Sequence, residues 1–274
     1  MNVLTKLNKG LSIASKSFSL LWKNKKLLIY LGFPILAGVL IEILAYNIHI
    51  DISSFGISLS HKNIITRTLK MTNSYNWMNY ISIIFIYFIY LFIVTFENIA
   101  LTNHTSIIAQ KNKIRILQVL QKSLCKIKIA FVWSVFVLIP ITTFYIINMY
   151  IQKIELPIFR ILFTLTTFIL FATWSIVTSF MIPIITFEKI NIFKSIKQST
   201  NIIKSIPFEY LGNIFWISLI ALLSATPFIL LEKQIKTTYI ISIPAILLIS
   251  CIISTAHTIS KTLLYKKFKQ IERN

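Results

Sequence analysis

Long apolar runs alternate with short polar stretches along the whole chain. Six of these runs have about 20 residues, which at 1.5 Å per residue is enough to cross a hydrocarbon core of about 30 Å. The pattern predicts an all-α fold, a polytopic transmembrane helix bundle that forms one integral membrane domain over residues 1–274. The predicted spans cover residues 27–46, 77–98, 129–151, 161–185, 208–231 and 239–259.

Short connections arrange these spans in three hairpins. Only QKIELP separates the third span from the fourth, and only EKQIKT separates the fifth from the sixth. Connections this short force neighbouring helices to run antiparallel. The first two spans are joined instead by a polar stretch, residues 50–76, which we expect to form one sizeable external loop.

Three basic amphipathic segments precede the first, third and fifth spans. In each, apolar residues recur every three or four positions on one helix face, with lysines on the other face. Two placements are open for the first segment, residues 3–22: the surface of an anionic leaflet, or packing against other helices of the same protein. The predicted apolar faces are Leu4, Leu7, Leu11, Ala14, Phe18 and Leu21, then Leu117, Leu120, Leu124 and Ile127, then Ile192, Phe193, Ile196 and Ile203.

The distribution of basic residues orients the chain. Of the 28 Lys and Arg residues, 21 lie in the two terminal segments and in the segments before the third and fifth spans, and seven lie in the alternate connections. Because cytoplasmic segments of bacterial membrane proteins carry the excess of Lys and Arg, both termini are predicted to be cytoplasmic. The predicted location is a bacterial cytoplasmic (inner) membrane, crossed in multiple passes.

The net charge of +20 has the same explanation. In a soluble protein it would suggest nucleic-acid binding, but here the lysines concentrate in short segments between spans. The expected partners are therefore the lipid bilayer and its anionic inner-leaflet lipids, with a membrane-protein partner as the alternative, and no nucleic acid. The membrane-surface candidates are Trp22, Lys23, Lys25, Lys26, Lys122, Lys126, Lys194, Lys197 and Lys204.

Four polar residues inside or beside the spans are further candidates. Glu42 lies near the far end of the first span and either has a function or simply reaches the interface. Glu97 and Asn98 end the second span, where they can reach headgroups. Glu188 lies at a predicted cytosolic boundary, where a carboxylate complements the dipole of the following helix. His104, shortly after Asn98 in the sequence, has no His, Asp or Glu clustered with it and is expected to face solvent.

The sequence contains few residues of the types that catalyse reactions. There is one Asp, there are four scattered His, and the two Cys are far apart; HExxH, a glycine-rich phosphate loop and a nucleophile elbow are all missing from the sequence. We therefore expect no catalytic residue, no cofactor, no metal site and no enzymatic activity.

Two functions remain open. The first is a non-catalytic multi-pass inner-membrane protein that acts as a scaffold or in assembly or regulation. The alternative is a transporter or channel for a small or lipid-like substrate, because prolines such as Pro183 can break spans and the fourth span is rich in hydroxyls. Helix packing is the first explanation of those hydroxyls and a polar pathway the second. They are Thr164, Thr166, Thr167, Thr173, Ser175, Thr178 and Ser179.

Four short motifs carry a resemblance to a known family. They are Trp22, Lys25, Lys26 and Pro34 in SLLWKNKKLLIYLGFP; Phe96, Asn98, Ala100 and Leu101 in FENIAL; Pro183, Glu188 and Ser199; and Leu264 with Tyr265. On these residues the whole chain resembles bacterial six-span integral membrane proteins of unknown function. It also loosely resembles the membrane domain of glycerophosphodiester phosphodiesterases. The resemblance implies a six-span architecture and no particular activity.

Overall fold

The fold described here is a computed structural model that covers residues 2–38, 77–110, 112, 115–151, 154, 156–188, 190–234 and 239–273. Every regular element in these ranges is a helix, which confirms the predicted all-α fold. A short 3₁₀ helix, Lys25–Leu31, continues as helix over residues 32–38. The other helices are α1 (Val3–Lys23), α2 (Trp77–Ala109), α3 (Ile116–Leu124), α4 (Ile127–Ile151), α5 (Pro157–Val177), α6 (Met181–Phe187), α7 (Ile192–Ser205), α8 (Pro207–Gln234) and α9 (Tyr239–Arg273).

Five stretches are long and apolar enough to cross a membrane, and the chain is a multi-pass membrane protein. The predicted first span, 27–46, is described only as far as residue 38, so the count of six spans stays a prediction. The external loop, residues 50–76, lies outside the described residues. The five stretches are Ile84–Ala109, Ile127–Ile147, Pro157–Phe187, Pro207–Phe228 and Ala245–Glu272.

Two of the spans continue well beyond their predicted ends. The helices α2 and α9 have 33 and 35 residues, so each is about 50 Å long against a hydrocarbon core of about 30 Å. Residues 102–109, which the sequence assigned to the second amphipathic segment, therefore belong to α2. Polar contacts between neighbouring side chains sustain these extensions where the apolar runs stop.

The helices α2 and α9 form the centre of the bundle. The helix α2 packs against α3, α4, α6 and α9, and α9 packs in addition against α1 and α8. The pairs α4–α5 and α8–α9 are in contact, as the two short connections predicted. The short helices α1, α3 and α7, which we call the collar, lie at the end of the bundle where α2 and α9 finish.

The helix α1 packs against the spans through small residues. Gly10 meets Gly212 of α8 so closely that a Cβ on Gly10 would lie 2.7 Å from the Asn213 amide nitrogen, and one on Gly212 would lie 2.7 Å from the Leu7 carbonyl oxygen. Small residues permit this approach of two helix backbones. The helix α1 therefore packs within the protein, which is one of the two placements open for the first segment. Its buried residues are Gly10, Ala14, Ser17 and Leu21.

The predicted apolar faces of the collar helices are only partly buried in the protein. Leu4 is exposed on α1, Leu117 is 72% exposed on α3, and Phe193 is 74% exposed on α7. Lipid solvates large apolar groups as well as a protein core does, so close packing in a membrane selects small residues instead. The buried residues of α3 and α7 are Val119, Ser123, Ser195, Ser199 and Ile202.

The fourth span is broken between α5 and α6. Pro183 has no N–H to donate to the Ser179 carbonyl four residues earlier, so a continuous helix is interrupted here. The backbone N–H of Phe180 donates instead to the Ser199 hydroxyl of α7, at 3.2 Å. The hydroxyls of Ser179 and Tyr210 are also hydrogen-bonded to each other. The break is thus held by side chains from the neighbouring α7 and α8.

Candidate functional site

A line of polar contacts joins α2 to α9, and we call it the polar seam. Its members are Asn98, Thr102 and Ser106 on α2 and Thr258, Thr262 and Lys266 on α9. The Thr258 hydroxyl donates to the Asn98 side-chain oxygen at 2.6 Å, the Thr262 hydroxyl donates to that of Thr102 at 3.3 Å, and the Lys266 amine donates to the Ser106 carbonyl at 2.8 Å. Each partner lies four residues after the previous one on both helices. The two helices therefore run parallel and in register, with one seam contact per turn.

Glu188 is the centre of a second polar cluster. Its Oε1 atom accepts hydrogen bonds from the Tyr265 hydroxyl and from the Gln198 amide, the latter at 2.7 Å, and lies 3.1 Å from the Lys269 amine. These donors come from α7 and α9. The sequence assigned Glu188 to the start of a helix, but Asn191 caps α7, accepting from the Lys194 N–H. Glu188 instead ties the link between α6 and α7 to α9.

A cavity of about 840 Å³ lies beside both polar groups, and we call it the inner cavity. Side chains and backbone of α1, α2, α9 and the α6–α7 link line it. Its charged residues are Lys16, Lys266, Lys267, Lys269, Glu188 and Glu272. The cavity therefore carries an excess of positive charge and is the candidate binding site of the described structure.

Two further polar residues of α2, Glu97 and His104, are buried in the bundle. Glu97 is 5% exposed, and α2 continues past it to Ala109. His104 is also buried and packs edge-on against Tyr30 with ring centroids 5.7 Å apart. The prediction that His104 faces solvent is thus wrong, since the helix that carries it stays inside the bundle. Of the predicted intramembrane candidates, Asn98 belongs to the polar seam and Glu42 lies outside the described residues.

The membrane-surface candidates lie on the surface. Trp22 is 61% exposed, and the lysines of the 3₁₀ helix and of α7 are exposed as well. Lys126, at the start of α4, is half-buried. The exposed lysines are Lys23, Lys25, Lys26, Lys122, Lys194, Lys197 and Lys204.

The hydroxyls of the fourth span do not meet in a common site. Thr166 and Thr173 are exposed on α5, and each donates to the carbonyl four residues earlier, at 2.9 and 2.8 Å. Ser175 is exposed too. Asn213, by contrast, is buried on α8 and donates to the Ser260 hydroxyl of α9 at 3.0 Å. The exposed threonine hydroxyls thus bond within their own helix, and Ser179, at the break, bonds to Tyr210 of α8.

Several residues of these polar groups were missed by the sequence reasoning. Lys266, Lys269 and Gln198 are unremarkable in sequence because their partners lie far away along the chain. One sequence pattern does indicate the polar seam. Polar residues recur at every fourth position, at 98, 102 and 106 and again at 258, 262 and 266. Such a stripe on two apolar helices indicates that the helices face each other.

Comparison with known proteins adds no function. No protein-family model, curated protein or solved structure matches the chain. The resemblance to the membrane domain of glycerophosphodiester phosphodiesterases therefore stays a prediction. Among the described residues, His, Cys, Asp and Glu form no group of three or more that could hold a metal ion.

Acidification should weaken the Glu188 cluster. Burial raises the pKa of this carboxyl, but the hydrogen bonds from Tyr265, Lys269 and Gln198 outweigh burial and hold the pKa below its ordinary value of 4.5. Because the pKa is lower in the folded state than in the unfolded state, the stabilisation is fully present above pH 4.5 and is lost as the pH falls through the folded value.

The measurement is thermal unfolding of the purified protein and of Glu188→Gln from about pH 6 down to about pH 3. We expect the stability difference between them to shrink with acidification. A difference that grows as the pH falls would contradict the assignment.

Proposed function

We propose that this protein is a non-catalytic, multi-pass protein of a bacterial inner membrane, with both termini cytoplasmic, whose collar forms a basic docking surface on the anionic inner leaflet. Its role is that of a scaffold or of a component in assembly or regulation. The observation that carries the proposal is the construction of the collar. Each collar helix buries small residues against the spans and presents lysines together with large apolar side chains outward.

A helix that exposes lysines and large apolar side chains together favours a membrane interface. Exposing the side chain of Leu117 or Phe193 to water costs a free energy of about 25 cal/mol per Å² of apolar surface. Contact with lipid acyl chains removes this cost. Lysines beside them reach phosphate groups, and each contributes about 1 kcal/mol near an anionic surface. Residues Lys194, Lys197 and Lys204 place three such charges on α7.

The internal polar groups support a structural role. Among the described residues, hydrogen bonds between side chains join neighbouring segments of the bundle, and in each of them the donor and the acceptor are occupied by packing. Interhelical bonds of this kind contribute about 0.6 to 2 kcal/mol in membranes. They join Thr95 to Ser134, Asn98 to Thr258, Thr102 to Thr262, Ser179 to Tyr210 and Asn213 to Ser260.

The transporter alternative draws on the broken fourth span, since transporters use the free helix ends of such breaks to hold substrates. In this chain the Phe180 N–H at the break is already bound by Ser199. The break therefore fits a packing role better than a substrate site.

A reporter on α7 tests the docking surface. We would replace Cys125 and Cys251 by Ala, introduce Asn201→Cys, label it with a fluorophore and measure quenching by neutral acrylamide in nanodiscs. Phosphatidylglycerol in the nanodisc should reduce quenching relative to phosphatidylcholine alone, because it draws the lysines onto the surface. Replacing Lys194, Lys197 and Lys204 by Gln should abolish the difference, and high salt should weaken it.

The matched control removes three lysines that the sequence predicts on the opposite side, Lys153, Lys233 and Lys236. This variant should retain the dependence on phosphatidylglycerol. Equal quenching in both lipids for the unaltered collar would overturn the proposal.

A further inference from the structure

The inner cavity contains more lysines than its carboxylates neutralise. Four lysines and two glutamates line it. Lys267 pairs with Glu209 at 2.7 Å, and Lys269 pairs with both lining carboxylates, Glu188 at 3.1 Å and Glu272 at 2.8 Å. The carboxylates are thus committed to two of the four lysines.

The two remaining amines belong to Lys16 and Lys266. Within the described part of the chain, no carboxylate lies within ion-pair distance of either. Lys266 is half-buried, and its amine is fixed by a 2.8 Å bond to the Ser106 carbonyl. An ammonium group has three donors, so two remain for a ligand. Lys16 approaches the cavity from α1, which the Gly10–Gly212 contact anchors to α8.

We propose that the inner cavity binds a phosphate-bearing ligand between Lys16 and Lys266. A phosphate group accepts several charge-assisted hydrogen bonds at once, and lysine binds it as a point charge. The volume of about 840 Å³ lies in the range of small-molecule pockets, about 300 to 1,000 Å³. The ligand is either a free phosphate ester or the headgroup of a phospholipid.

The apolar side chains that line the inner cavity favour a phospholipid as the source of the phosphate group. Ile13, Phe187 and Leu263 line the same cavity as the lysines. A site with amines and apolar side chains together accommodates the boundary between a headgroup and its acyl chains. This inference goes beyond the collar proposal, whose test uses Lys194, Lys197 and Lys204 of α7, so the two can fail separately.

The test measures ligand retention by the full chain. Purified protein is incubated with phosphatidylglycerol or phosphatidylcholine in detergent, and bound lipid is counted by native mass spectrometry. In a parallel arm, glycerol 1-phosphate is titrated while thermal unfolding is monitored. The variants are Lys16→Gln and Lys16→Gln with Lys266→Gln, and the matched control is Lys153→Gln with Lys233→Gln, two lysines that the sequence predicts on the opposite side.

We expect the unaltered protein and the control to bind the phosphate-bearing probe equally. The single variant should weaken binding about fivefold and the double variant about thirtyfold, as loss of one or two lysine–phosphate interactions implies. Lys16 has an exposed side chain, so Lys16→Gln keeps the test valid if the double variant does not fold.

The two arms identify the source of the phosphate. Retention of phosphatidylglycerol that Lys16→Gln weakens supports a lipid headgroup, and stabilisation by glycerol 1-phosphate that the same variant weakens supports a free ester. Binding in neither arm, or binding weakened as much by the control as by the cavity variants, overturns the proposal.

Discussion

Alanine at Gly10 or Gly212 should lower the free energy of unfolding by about 3 kcal/mol. At Gly10 the added methyl group meets the Glu209 carbonyl oxygen and the Asn213 amide nitrogen, and at Gly212 it meets the Leu7 carbonyl oxygen, 2.7 Å away. Backbone cannot rotate aside as a side chain does, so α1 must move off α8. We expect a large drop in the midpoint of thermal unfolding. Size-exclusion chromatography of heated samples measures this midpoint.

Two other glycines provide the control. A Cβ on Gly32 or Gly38 meets nothing within 4 Å, and both residues lie in helical backbone. Alanine there should be neutral or should stabilise by about 0.5 kcal/mol, because glycine has the larger entropy loss on folding. If Gly10→Ala unfolds at the same temperature as Gly32→Ala, the close packing of α1 on α8 is wrong.

Removing the Glu188 carboxylate should cost about 2 to 3 kcal/mol. In Glu188→Ala, the Tyr265 hydroxyl, the Gln198 amide and the Lys269 amine all lose a common acceptor. A half-buried donor without an acceptor loses its hydration without compensation, which is why the cost exceeds that of one ordinary hydrogen bond. Thermal unfolding at neutral pH measures the effect.

Glu272→Ala is the matched control because it removes the other carboxylate bound to Lys269. The Glu272 side chain is 54% exposed, and exposed ion pairs contribute at most about 1 kcal/mol. We expect little change. If Glu188→Ala and Glu272→Ala lowered the free energy of unfolding equally, the central role given to Glu188 in the cluster would be refuted.

The spans were predictable because lipid imposes a simple rule. Each must be a long apolar run whose backbone hydrogen bonds are satisfied within the protein, and the five described spans follow that rule. The ends of α2 and α9 beside the collar were not predictable in the same way. The helices α2 and α9 continue after their apolar runs stop because the polar seam replaces lipid with partners from another helix.

The buried faces of the collar helices did not follow from hydrophobic patterning. Leu117 and Phe193 belong to the predicted apolar faces, yet both are exposed on the surface of the protein. Ser123, Ser199 and Gly10 are buried instead because their small size allows close approach. A search for small residues at helical spacing would have found these faces.

The candidate site was predictable only in part. The lysine-rich segments follow from the distribution of charge, and the exposed positions of Lys194, Lys197 and Lys204 fit that prediction. The inner cavity depends on Lys16, Glu188 and Lys266, which are far apart in sequence and meet only through the fold. The polar stripe at 258, 262 and 266 indicates a polar face of α9, but it does not show that Lys16 and Glu188 lie beside that face.

Cysteine labelling across the membrane tests the central claim most directly. In the background without Cys125 and Cys251, single cysteines at Asn201 on α7, at Gln270 on α9 and at Leu156 before α5 are treated with an impermeant maleimide. The 25 residues of α4 separate the collar from Leu156 by about 37 Å. Labelling at Asn201 and Gln270 only in inverted vesicles, and at Leu156 only in right-side-out vesicles, is the predicted result. Labelling of Asn201 and Leu156 from the same side would contradict it.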